Sequence, residues 1–177
     1  MAAAPVLNRA FMQTCWLVPD LADAIDGWVR TAGVGPFFWF DDIGATEGRH
    51  RGEPADFPTS TAAIAYAGDM QIELVCQEND EPGIFRDVFP RDQYGLHHLA
   101  VICDDYEAEC DAYVAAGAEV AYEAFIGGRT RTCWVDTSPA LGVMVELLER
   151  SRARDRGFAT MRAAAESWDG TNAITRF

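Results

Sequence analysis

Apolar positions along this chain switch between two periods, and the switch occurs twice. Leu21, Ala24, Ile25, Trp28, Val29 and Ala32 fall at i, i+3, i+4, i+7, i+8 and i+11, one stripe at helical spacing. Asp20 stands before the stripe as a capping residue, and Gly33 follows where a left-handed residue ends a helix. Upstream, residues 11–18 read as a strand rich in aromatic and aliphatic side chains. The same unit returns 85 residues on, from Asp20 to Asp105. Residues 99–103 form its strand, Tyr106, Cys110, Tyr113 and Val114 its stripe, and Gly117 its stop. Strand-like runs follow each helix, at 37–40, 61–66 and 70–75 and then at 120–124, 130–136 and 143–148. Both halves therefore read strand, helix, strand, strand, strand, a duplication within one α+β domain. Residues 41–60 read as a loop and potential lid, and 77–95 as the link between modules. Beyond Arg150 the arginines alternate with small or acidic residues as a solvated face, 158–168 reads as a helix, and 169–177 as a tail.

Composition narrows the function. The 177 residues carry 28 acidic and 14 basic side chains, a net charge of -14, and every basic residue is Arg. Such a surface repels phosphate backbones and anionic lipid, so neither nucleic acid nor membrane is expected as a partner. The lack of Lys removes Schiff-base and Walker-type lysine chemistry. Five cysteines without a C-x-x-C pair read as free thiols, and a cytoplasmic location is expected. No apolar run approaches the ~20 residues that span a bilayer.

The two halves also end alike. Gln71-Ile-Glu73-Leu-Val closes the first and Val145-Glu146-Leu-Leu the second, each with a carboxylate in an apolar strand. A charge there is costly unless it meets a partner or a metal. The matching first strands offer Gln13 and His98. His97, its neighbour, should point to the other strand face, leaving one of the two histidines inward.

The segments Gly95-Leu-His-His-Leu-Ala-Val, Gly127-Gly-Arg-Thr and Gly142-Val-Met-Val-Glu-Leu-Leu resemble those of the vicinal oxygen chelate superfamily, which includes glyoxalase I and methylmalonyl-CoA epimerase. The resemblance covers about residues 10–149, with module one at about 10–76, module two at about 95–149, and a helical tail at 150–177. It implies a cup-shaped sheet of paired βαβββ modules around one divalent metal (Zn, Mn, Co, Ni or Fe), held by Gln13, Glu73, His98 and Glu146. That donor set is similar to the one in some glyoxalase I enzymes, whereas epimerases more often have His first and Gln second. The resemblance further implies an isomerase, epimerase or lyase that moves a proton beside a metal-polarised carbonyl, with Glu146 and Glu73 as catalytic carboxylates. Alternatives are a non-catalytic small-molecule binding protein of the resistance type and a ring-cleaving extradiol dioxygenase. A small-molecule substrate is expected, with Arg129 and Arg131 as candidate substrate-binding residues. A homodimer is expected as well.

Overall fold

In the computed structural model, residues 9–176 are described. The first half comprises β1 (Gln13–Leu17), α1 (Leu21–Ala32), β2 (Phe37–Phe40), β3 (Ala45–His50), β4 (Glu53–Pro54), β5 (Ser60–Ala67) and β6 (Met70–Gln77). A short helix, α2 (Ile84–Val88), lies in the link. The second half comprises β7 (Gly95–Cys103), α3 (Tyr106–Ala115), β8 (Glu119–Ile126), β9 (Thr130–Asp136), α4 (Ser138–Leu141) and β10 (Met144–Glu149). Then follow α5 (Arg152–Glu166) and β11 (Ile174–Arg176). The fold is α+β.

One sheet runs β11-β2-β5-β6-β1-β7-β10-β9-β8-β3-β4. The first strand of each module lies parallel to its last, β1 beside β6 and β7 beside β10. The two first strands pair antiparallel at the centre. This arrangement brings four strands, far apart in sequence, side by side at the middle of the sheet.

Side-chain alternation then sorts the residues. Ile72 and Leu74 face α1, where Leu21 and Ile25 are buried with them. Val145 and Leu147 join Tyr106, at the start of α3, in the matching cluster. Burying each such aliphatic side chain contributes about 1.5–3 kcal/mol. The intervening Glu73 and Glu146 are thereby forced onto the opposite, concave face.

The helix caps are as the sequence implies. Asp20 accepts from Asp23 N–H and Asp105 from Ala108 N–H, at 2.8 and 3.1 Å. Gly33 takes φ +66°, the left-handed conformation that closes α1. Val114, counted in the α3 stripe, is 50% exposed. Its neighbour Tyr113 instead packs against the Arg9 guanidinium, 4.3 Å from the ring centre.

Three segments differ from the expectation. Residues 41–60 are not a free lid: β3 crosses to the far edge of the sheet and pairs with β8. The crossing depends on Gly48, where a Cβ would come within 1.9 Å of the Tyr122 hydroxyl and 2.4 Å of the Ala55 carbonyl oxygen. The tail is also partly ordered, since β11 adds a parallel strand to β2. The C-terminal helix begins at Arg152 rather than 158, because Ser151 caps it by accepting from Arg154 N–H at 3.1 Å.

Candidate metal centre

Strand register sets the floor of the cup. Gln13 lies beside Gln71 on β6 and beside Ala100 on β7, and Ala100 lies beside Glu146 on β10. Two residues away, Cys15 lies between Glu73 and His98. Gln13, Glu73, His98 and Glu146 all line one cavity of ≈ 200 Å³.

His98 is its centre, 1% exposed. Glu146 Oε2 is 3.2 Å and Glu73 Oε2 3.4 Å from its Nε2. Neither carboxylate is aligned as a hydrogen-bond acceptor, so this buried nitrogen has two anions near it and no directed partner. Burial disfavours the imidazolium, but the two carboxylates outweigh burial and push its pKa up to about 9.

The other ring nitrogen is fixed through His97. His97 Nε2 is 3.0 Å from the Ile84 carbonyl oxygen, which can only accept. That nitrogen therefore carries the proton, and in the neutral ring Nδ1 is an acceptor. Burial, followed by the charge of His98, holds the His97 pKa down to about 3, which keeps the ring neutral. The 2.9 Å contact between the two Nδ1 atoms is then a donation from His98 to His97. With Nδ1–H committed, His98 presents Nε2 to the cavity, the orientation a metal ligand needs.

Gln13 is set in the same manner. Its Nε2 donates to Gln71 Oε1 at 2.6 Å, and Gln71 Nε2 donates to the Tyr66 hydroxyl at 3.0 Å. Gln13 Oε1 is left buried without a partner. Glu146 is anchored on one oxygen, Oε1, which accepts from Thr132 Oγ1 at 2.9 Å. An orphaned amide oxygen, an orphaned imidazole nitrogen and two unaligned carboxylates fit a divalent cation.

The sequence reading missed several of these parts. His97 departs from the expectation: it is the extra residue where the β1–β7 register shifts, and it is buried against Ile84, Phe85 and His98, orienting His98 instead of turning to the other face. Cys15 offers a sulfur within 4.8 Å of ligand atoms of both Glu73 and His98. Burial, then Glu73, pushes its pKa well up, so it remains a thiol. All five cysteines are free. Arg131 pairs with Glu149 at 2.7 Å and with Glu107, and covers the Tyr106 ring. Arg129 sits at the turn between β8 and β9. Neither arginine lines the cavity. Arg154, Phe158 and Met161 of α5 do line it, so the arginine-rich segment is partly a wall of the site and not only a solvated face. The signal was present in the sequence: residues 154, 158 and 161 share a helix face.

Comparison with known proteins agrees with this architecture. The family model of the Glyoxalase/Bleomycin resistance protein/Dioxygenase superfamily matches residues 12–134, and the chain belongs to that superfamily. Similar solved structures include a hypothetical protein from Bacillus halodurans C-125, 15% identical with a TM-score of 0.61, covering 82% of this chain and 96% of that one. Methylmalonyl-CoA epimerase from Mycobacterium tuberculosis is 20% identical with a TM-score of 0.59, covering 88% and 99%. A Streptomyces coelicolor methylmalonyl-CoA epimerase variant is 15% identical with a TM-score of 0.56, covering 81% and 98%. At these identities the likeness is one of fold. A comparison with curated protein sequences gives no match. No helix among the described residues is long and apolar enough to cross a membrane.

Proposed function

We propose that this protein is a metal-dependent isomerase, epimerase or lyase of the glyoxalase type, which moves a proton on the carbon next to a carbonyl. The observation that carries the reading is the convergence of Glu73 and Glu146 on His98 Nε2, at 3.4 and 3.2 Å, in a cavity whose other walls are mostly apolar. Gln13, Glu73, His98 and Glu146 would hold one divalent cation (Zn, Mn, Co, Ni or Fe suit three oxygens and one imidazole). When bound, such a cation supplies Lewis-acid polarisation of a chelated carbonyl.

The residues of this chain supply the remainder. Glu146 is assigned as the base. Thr132 Oγ1 lies 2.9 Å from Glu146 Oε1 and 3.2 Å from the Leu147 carbonyl oxygen, so its one proton is divided between two acceptors. Anchored through Oε1 alone, the carboxylate can accept a substrate C–H proton on Oε2. Glu73 is assigned mainly to holding the cation. Phe57, Val75, Phe85 and Leu148 line the cavity and limit water, which keeps the proton from being lost to solvent. Methylmalonyl-CoA epimerases among the similar folds favour proton transfer at carbon as the chemistry to test. The net charge of -14 disfavours an anionic acyl-CoA here.

The test is deuterium exchange. Metal-loaded protein is incubated in heavy water with 2-oxo and 2-hydroxy carbonyl compounds, and substrate C–H loss is followed by NMR. Exchange that stops on adding a chelator supports the proposal. No exchange with any compound and any of the five metals sinks it in favour of a binding protein.

A further inference from the structure

The helix α5 lies beyond the residues matched by the family model, yet it forms part of the cavity wall. Met161 is buried with Phe38 and Tyr66, and Phe158 packs on the same cluster. Arg162 pairs with Asp69 and covers the Tyr66 ring at 4.7 Å, and the Trp168 ring packs against Gly35. The helix is thus tied down along its length, and what it presents to the cavity is fixed.

It presents a cation. The acidic surface engages many of the arginines: Arg51, Arg131, Arg150 and Arg162 all sit in ion pairs. Arg154 has no carboxylate within ion-pair distance among the described residues. One N–H of its NH1 donates to the Glu149 carbonyl oxygen, at the joint of β10 and α5. A guanidinium has five N–H donors, so the others are left for a ligand. Beyond the metal-centre residues and Asp42, the remaining wall is mainly hydrocarbon, including Ile43, Ile64, Ile126, Phe158 and Met161. A cation partly desolvated by such a wall is costly unless an anion joins it.

We propose that Arg154 forms an anion subsite and that the substrate is a small, mostly apolar carboxylic acid. The guanidinium would bind the carboxylate in its planar fork, the hydrocarbon body would fill the cavity, and the reacting oxygens would lie at the Gln13–Glu73–His98–Glu146 cluster. This rests on the proton-transfer reading above and adds the substrate class to it. A singly charged carboxylate fits better than a phosphate dianion. Glu146, Glu149 and Asp155 already act electrostatically on Arg154, and a second negative charge beside them would be repelled. A cavity of ≈ 200 Å³ also suits a body of about one aromatic ring or a branched alkyl group.

Phenylacetate and its uncharged isostere phenylacetamide test the proposal on chelator-treated, full-length protein, with affinities measured by NMR titration. The wild type should prefer the acid by about tenfold or more. Arg154→Gln should abolish that preference while leaving the amide's affinity within about twofold. Arg154→Lys should keep part of it, which separates charge from helix anchoring. Arg129→Gln, at the β8–β9 turn outside the cavity, should keep it fully, which separates the subsite from the general loss of a positive charge. Equal affinity for acid and amide, no binding of either at tens of millimolar, or a preference that survives Arg154→Gln would each overturn the subsite. Deuterium exchange on the metal-loaded protein decides the proton-transfer reading separately.

Discussion

His98 donates its Nδ1–H to His97 Nδ1 across 2.9 Å, and the direction of that bond is imposed by the Ile84 carbonyl oxygen 3.0 Å from His97 Nε2. A backbone acceptor in the link between modules thus decides which nitrogen of His98 faces the cavity. His97→Phe removes the acceptor but keeps a buried ring. We expect a 10–100-fold loss of cobalt or zinc affinity with an unchanged circular dichroism spectrum. Unchanged affinity would mean that His97 is only packing.

The same pair sets the pH response of the metal-free protein. The His98 pKa rises from 6.5 to about 9, so its stabilising charge is fully present below pH 6.5 and is lost as pH climbs through 9. The His97 pKa falls from 6.5 to about 3, so the stability of its neutral form is present above 6.5 and is lost as pH drops toward 3. The Tm of chelated protein should therefore peak near pH 6.5 and decline on both sides. A divalent ion on His98 Nε2 must displace the proton, so bound metal should flatten the alkaline decline. Thermal scans with and without metal check both signs.

Glu146→Gln keeps the shape and one oxygen donor but removes the base. Roughly 10²–10⁴-fold of rate should be lost while a good part of the metal is retained. Glu73→Gln should cost less in rate. Exchange kinetics on the two variants settle the roles, which are reversed if Glu73→Gln is the inactive one.

Gly48→Ala tests the crossing of β3 to the opposite module. Its Cβ would collide with the Tyr122 hydroxyl at 1.9 Å and the Ala55 carbonyl oxygen at 2.4 Å. We expect a loss of about 1–3 kcal/mol in urea unfolding. A neutral result would show that the strap shifts freely.

Much of the fold was legible because duplication repeats a pattern. The Asp20/Asp105 caps, the paired helices and the carboxylates Glu73 and Glu146 follow from period and burial alone. Gln13 and His98 stood out as polar residues at the matching strand starts, and the resemblance then implied their role as ligands. What stayed hidden depends on contacts between remote or rotated side chains. The relay from Gln13 through Gln71 to Tyr66 appears only when β1, β5 and β6 are adjacent. Residues 45–50 carry too much Gly and charge to read as a strand, and β8 supplies the pairing that makes them one. Arg154 looked like one of four alternating arginines, because the Ser151 cap that starts the helix was not used. That cap places Arg154 with Phe158 and Met161 on one face.

The central claim is that Gln13, Glu73, His98 and Glu146 together hold a divalent cation. Elemental analysis of purified wild type and Glu146→Ala tests it most directly. The account predicts about one equivalent per chain in the wild type and most of it gone in the variant, with the fold intact by circular dichroism. Equal occupancy in both proteins, or none in the wild type after incubation with Zn, Mn, Co, Ni and Fe in turn, would contradict it.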